Sequence, residues 1–118
     1  MIEGIGVDIV SVNRIKKLYE KFGVKFLNKI FTDKEIAYCL SHTNPYPHFA
    51  ARFAVKEAVI KALKKPEGLK LKDIEMINNP DGSPEIFLNE KNKKEILVSI
   101  SHEKNYAIAF VTILKKIS

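Results

Sequence analysis

Three polar side chains stand in otherwise apolar runs: Asp8 in GIGVDIV, Glu57 in RFAVKEAVIKAL and His102 in VSISH. Asp8 and Glu57 would offer hard carboxylate oxygens on regular elements. Such a pair suits Mg²⁺, which keeps several waters and accepts phosphate oxygens of a substrate as further ligands. Lys61 follows Glu57 by four residues, so on a helix the two share a side and a cation can reach the same phosphate. Each residue also has an ordinary role. Asp8 can cap the next turn, Glu57 can be a solvated carboxylate paired with Lys61, and His102 a satisfied core or turn histidine. Arg14, Lys17 and Lys21 recur at i, i+3 and i+7, either as a solvated helix face or as a docking surface for an acidic macromolecule.

Regular elements have to position these groups. Residues 2–9 alternate, with Ile5, Val7 and Ile9 on one side and Gly4, Gly6 and Asp8 on the other, as a half-buried strand requires. Two glycines weaken a strand unless close packing uses the space they leave. Ile15, Leu18, Tyr19 and Phe22 have helical spacing, and Gly23 can end that helix. A short apolar unit follows at Phe26, Leu27 and Ile30. Thr32-Asp33-Lys34-Glu35 is a capping box that opens a further helix. The segment from Pro47 to Leu63 is predicted as one long helix without internal Gly or Pro, with Ala51, Ala54, Ala58 and Ala62 as a small-residue stripe.

The second half reads as strands: 71–77, 84–88, 96–102 and 106–114, with turns at 78–82 and 103–105. Residues 90–95 are a polar connection. The last two strands form a hairpin expected to be buried on both faces, with Ala107 and Ala109 keeping one side thin. The predicted order is β-α-α-α-β-β-β-β, a single α+β domain over residues 1–118 with the long helix packed on a mainly antiparallel sheet.

Composition narrows the function. The chain has 118 residues, 46% hydrophobic and 29% charged, as one soluble globular domain does. Net charge is +6, with nine basic and six acidic residues in 1–59 and eleven and eight in 60–118. So even an excess favours a polyanionic partner without a nucleic-acid arm. No basic-aromatic interleaving or recognition-helix pattern supports a nucleic-acid module. Cys39 is the single cysteine, so no intrachain disulfide forms. No run approaches the ~20 apolar residues of a membrane span. Glu3 and Asp8 interrupt what a signal peptide would need, so the expected location is cytoplasmic. Cys39, His42, His48 and His102 match no standard zinc spacing, and neither a dinucleotide fingerprint nor a Walker motif is present. Alternation puts Ser101 and His102 on opposite strand faces, against a hydrolase triad.

GIGVDIVSVNRI at 4–15, FTDKEIAYC at 31–39, RFAVKEAVIKAL at 52–63, DIEMINNPDGSPEI at 73–86 and VSISHEKNYAIAFV at 98–111 resemble the holo-acyl-carrier-protein synthases of the 4'-phosphopantetheinyl transferase superfamily. Five ordered blocks cover the chain almost end to end. The resemblance implies Mg²⁺-dependent transfer of 4'-phosphopantetheine from coenzyme A to a serine of apo-acyl carrier protein, releasing adenosine 3',5'-bisphosphate in support of fatty acid biosynthesis. By the same resemblance Asp8 and Glu57 match the metal-binding acids, Lys56 and Lys61 basic positions near the coenzyme phosphates, and His102 a histidine lining the coenzyme site. Arg14, Lys17 and Lys21 match the helix that meets the acidic carrier protein. The resemblance also implies a homotrimer with active sites at subunit boundaries. One departure is Lys64-Lys65-Pro66, where relatives often carry a glycine-rich turn beside the coenzyme. Two alternatives from other classes are a basic nucleic-acid module and a homologue that binds coenzyme A without catalysis.

Overall fold

In the computed structural model, which describes residues 1–64 and 66–116, the chain opens with strand β1 (Ile2–Ser11). It passes directly into helix α1 (Val12–Phe22), whose first turn is capped by Ser11 Oγ accepting from the Arg14 N–H at 3.2 Å. Gly23, at φ 62°, ends α1 with its own N–H on the Tyr19 carbonyl. Here the positive φ needs a glycine. The short apolar unit is a helix of its own, α2 (Val24–Ile30). The predicted capping box forms at the start of α3 (Asp33–Leu40): Thr32 Oγ1 accepts from Glu35 N–H, and Glu35 Oε1 accepts from Thr32 N–H. Helix α4 (Tyr46–Ala62) then runs through the middle of the domain.

Strands β2 (Ile74–Asn78), β3 (Pro84–Leu88) and the two-residue β4 (Lys91–Asn92) make a small antiparallel sheet. Strands β5 (Ile96–His102) and β6 (Tyr106–Leu114) join β1 in a second antiparallel sheet of order β1-β6-β5. The fold is α+β, with α4 packed on this second sheet.

Close approach explains the odd face of β1. A Cβ at Gly4 would lie 2.1 Å from the Ala62 carbonyl oxygen, and one at Gly6 2.1 Å from that of Ala58. The bare strand therefore meets the alanine stripe of α4 backbone to backbone. On β6 the buried Ala107 and Ala109 continue the same shallow bed. Such contact leaves Asp8 beside the helix, where a bulkier seam would hold it away.

Three expectations need correction. The β5–β6 hairpin is buried on one face only: Ala107, Ala109, Val111 and Ile113 point inward, whereas Leu97, Tyr106, Ile108 and Phe110 are exposed. Of the two faces of β1, which the alternation leaves unassigned, the glycine side meets the core and Ile5, Val7 and Ile9 face out. The order contains four helices and a β4 inside the supposed polar connection. Residues 71–73, predicted as the start of a strand, form a 3-10 turn instead.

Candidate functional site

Asp8 sits on β1 opposite Ala109 of β6, which is itself opposite Ile100 of β5. Lys61, in the last turn of α4, reaches across the glycine seam: its Nζ lies 3.1 Å from Asp8 Oδ1 and 3.0 Å from the Val7 carbonyl. The lysine side chain is 53% exposed and that of Asp8 18%, so the pair borders solvent. Glu57, one turn earlier, is half-buried, and among the described residues no hydrogen bond or ion pair engages its carboxylate. Two carboxylates and a lysine thus belong to one seam. Among the described residues no group of three or more His, Cys, Asp or Glu is arranged to hold a metal. This donor set fits Mg²⁺, which takes one or two protein carboxylates and fills its remaining positions with water and phosphate oxygen.

Lys56 has another post. It is fully buried, its Nζ 2.7 Å from Glu35 Oε1, and it donates to the carbonyls of Leu71 (3.1 Å) and Ile74. Glu35 Oε2 accepts from the Met76 N–H at 3.0 Å. Burial pulls the Lys56 ammonium below its ordinary value, and Glu35 acts against that pull. Every donor of this lysine is engaged, and it joins α4 to α3 and the small sheet. It does not reach the solvent where coenzyme phosphates were expected to meet it.

His102 lies at the far edge of the main sheet. Its partner across the ladder is Ala107, which pairs with Val10. The row containing His102 is two residues along from that of Asp8, on the same face, and two strand spacings, about 10 Å, separate β5 from β1. On α4 a similar division appears. Arg52 and Lys61 are nine residues apart, which at about 100° per residue puts them on opposite sides of the helix. The structure therefore groups Asp8, Glu57 and Lys61, and holds His102 apart from them.

Around His102 opens a cleft of about 390 Å³, bounded by α4, β5 and the β2–β3 turn. Its lining includes Tyr38, His48, Arg52, Asn78 and Ser99, and no carboxylate. Arg52 is 3% exposed; its guanidinium lies over the Tyr38 ring at 4.2 Å and one NH₂ donates to Asn78 Oδ1 at 2.7 Å. Its Nε is buried without a partner among the described residues. Sequence reasoning missed Arg52. A lone arginine within an alanine-rich apolar helix was the available signal. Cys39, packed beneath, is buried, and burial pushes its thiol up to about 12, so it stays neutral.

Arg14, Lys17 and Lys21 are all exposed and line one groove along α1, with Ser11, Asn13 and Leu18. Because α1 continues straight from β1, this basic stripe begins close in the chain to Asp8. Of the Lys64-Lys65-Pro66 segment, Lys64 is exposed and Pro66 half-buried; Lys65 lies outside the described residues.

Residues 4–111 match the family model of the 4'-phosphopantetheinyl transferase superfamily. The chain is 71% identical to the holo-[acyl-carrier-protein] synthase of Thermodesulfovibrio yellowstonii, over 96% of this chain and 99% of that one. It is 48% identical to the enzyme of the same description from Ehrlichia canis, over 96% and 94%. Among solved structures, the Bacillus anthracis synthase in complex with coenzyme A (3',5'-ADP) superposes with a TM-score of 0.83 at 33% identity, covering 96% of both chains. The Helicobacter pylori synthase in complex with coenzyme A gives 0.79 at 35% identity, over 93% and 99%. With matching blocks, fold and near-complete coverage, the chain belongs to the holo-[acyl-carrier-protein] synthases of the 4'-phosphopantetheinyl transferase superfamily.

Proposed function

We propose that Asp8, Glu57 and Lys61 form the reacting centre for transfer of 4'-phosphopantetheine from coenzyme A to a serine of apo-acyl carrier protein, the reaction of this family. One observation carries the assignment: a strand and a helix 53 residues apart in sequence bring Asp8 and Lys61 to 3.1 Å at a solvent-facing seam. Asp8 and Glu57 would hold the Mg²⁺. When bound, that ion neutralises charge on the coenzyme pyrophosphate. Lys61 is exposed enough to turn from Asp8 toward a phosphate oxygen, where a fixed cation stabilises charge building in the transition state. Glu57, free of other partners, takes the proton of the carrier serine. The serine oxygen bonds to the phosphorus bearing pantetheine, the bond from that phosphorus to the bridging oxygen breaks, and adenosine 3',5'-bisphosphate leaves.

The cleft holding His102 and Arg52 is the place for the nucleotide end, because it is cationic and free of carboxylates. In a single chain this cleft and the Asp8–Lys61 seam stand at opposite edges of the sheet. A homotrimer with its sites at subunit boundaries would bring the seam of one copy to the cleft of another. The outward apolar face of Ile5, Val7, Ile9, Leu97, Ile108 and Phe110 supports such an assembly, since a patch this rich in large apolar groups favours a partner over water. The groove of Arg14, Lys17 and Lys21 faces the acidic carrier protein. Among the described residues no helix is long and apolar enough to cross a membrane, and we place the enzyme in the cytoplasm.

The test is the intact mass of apo-acyl carrier protein incubated with the enzyme, coenzyme A and Mg²⁺. A gain of one phosphopantetheine, abolished by chelation, is expected; no gain with folded protein and several carrier proteins would remove the reading. Reversing Arg14 and Lys21 to glutamate should raise KM for the carrier about tenfold or more while sparing that for coenzyme A, with strong salt dependence. Equal rises for both substrates would argue against docking on α1.

A further inference from the structure

All three histidines of the chain cluster here, although they come from three elements: His48 and His102 line the cleft and His42 backs His48. His42 follows α3, His48 stands in the first turn of α4, and His102 ends β5. The His42 and His48 rings stack at 3.7 Å with an interplanar angle of 27°, and His102 meets His48 edge-on at 5.6 Å. His42 Nδ1 lies 2.9 Å from the Tyr38 carbonyl, which can only accept, so that nitrogen carries a proton. Stacked rings do not converge on a shared metal. His42 and His48 also fall outside the five blocks that carry the family resemblance, and the transfer reaction gives neither a task.

We propose that His48, backed by His42, is an anion-binding group of this cleft that takes up a proton as a phosphate of the ligand enters. The inference rests on the cleft being the nucleotide site of coenzyme A. Among the described residues, His42, His102 and Arg52 all work against a proton on His48 when the cleft is empty. Arg52 stands one turn further along α4, His42 lies against its face and His102 against its edge; Tyr38 of α3 closes the remaining side. From the β2–β3 turn, Asn78 and Gly82 line the cleft, while the carboxylate of Asp81 accepts from the N–H and hydroxyl of Ser83 at 2.9 and 2.5 Å. Desolvation first, then the positions of His42, His102 and Arg52 around the ring, hold His48 down to about 4, against an ordinary 6.5.

A phosphate reverses the balance. Its negative charge would face two imidazoles and the buried Arg52, whose Nε lacks a partner among the described residues. An opposite charge within a few ångströms favours the protonated imidazole. His48 then becomes a donor only when the ligand is present. The sign follows from linkage: a complex that binds more protons than the free partners gains affinity as pH falls. The coenzyme's own phosphate monoester, with a second pKa of about 6, loses charge over the same range and acts in the opposite sense. That ligand effect is common to any two variants compared, so their difference isolates the histidines.

Calorimetric titration of the full chain with coenzyme A, without metal, at pH 5.0–7.5 and in two buffers of different ionisation heat, tests this. Near pH 6, replacing His48 by glutamine (H48Q) should lower proton uptake on binding by about half a proton or more and make affinity fall relative to the unmodified protein by about threefold or more per pH unit of acidification. Equal proton uptake in the two proteins, or parallel pH profiles, would overturn the inference and leave the nucleotide site in place. Absence of coenzyme binding at every pH would remove the nucleotide site itself, and the inference with it. Should H48Q not fold, the same difference is taken between the unmodified protein and a His48→Asn variant.

Discussion

Helix α4 carries two lysine–carboxylate pairs, five residues apart, and they do opposite things. Lys56–Glu35 is fully buried at 2.7 Å and every remaining donor of the lysine meets a carbonyl. Lys61–Asp8 is 3.1 Å long and half in solvent. Identical chemical groups on one helix thus divide into a strut and a tool. The difference lies in what surrounds them. Around Lys56 the protein supplies all the compensation a buried charge needs, so nothing is left for a ligand. Around Lys61 compensation is partial, and a phosphate arriving there gains a cation without first having to break a core.

Removing the strut should have the largest effect. Lys56→Met leaves Glu35 charged and buried, which costs about 3–5 kcal/mol in comparable cases. Urea denaturation should show that loss, and Lys56→Met with Glu35→Gln should recover part of it because the amide still accepts from Met76 N–H. A loss below about 1 kcal/mol would make this pair no different from a surface one.

Breaking the tool should leave the fold and take the chemistry. Asp8→Asn keeps the shape of the seam but removes the charge proposed to hold Mg²⁺; kcat/KM should fall about 100-fold, near 2.7 kcal/mol of transition-state stabilisation, and more Mg²⁺ should be required. Unchanged magnesium dependence would take Asp8 out of the metal site. Lys61→Met should shift stability by less than about 1 kcal/mol, since solvent screens an exposed pair. A multi-kcal loss of stability there would erase the contrast between the two lysines.

This contrast was only half legible in the sequence. Asp8, Glu57 and Lys61 were readable as one group because helix spacing links Glu57 to Lys61 and strand alternation sets Asp8 on the glycine side. Lys56 was placed beside them because it shares their motif. A one-residue step turns a helical side chain by about 100°, and only the packing of α3 and β2 decides what waits there. The capping box was local, hence readable, but the second duty of Glu35 toward Lys56 and Met76 is a tertiary event. On β1 the alternation was right and left open which face meets the core. Isoleucines suggest the core, yet the helix backbone occupies the place a Cβ at Gly4 or Gly6 would need. The histidine cluster was invisible for a related reason: residues 42, 48 and 102 share no spacing, and β5 reaches the start of α4 only through the fold.

The smallest expected effect separates the two pairs by pH. Burial lowers the affinity of Lys56 for its proton, while in the unfolded chain that lysine titrates near its ordinary 10.5. Between the folded value and 10.5 the unfolded state therefore binds more protons. Stability then gains a positive slope from Lys56 as pH rises through that window, and the gain is complete above 10.5. The sign is opposite to that of a lysine whose partner raises its pKa. Denaturation midpoints measured at pH 8, 9 and 10 should climb more steeply, or fall less, in the unmodified protein than in the Lys56→Met, Glu35→Gln double variant. Exposed lysines titrate in both proteins and cancel in the difference. A difference that runs the other way would mean that Glu35 overcomes the desolvation of Lys56, making the buried pair a net holder of the proton.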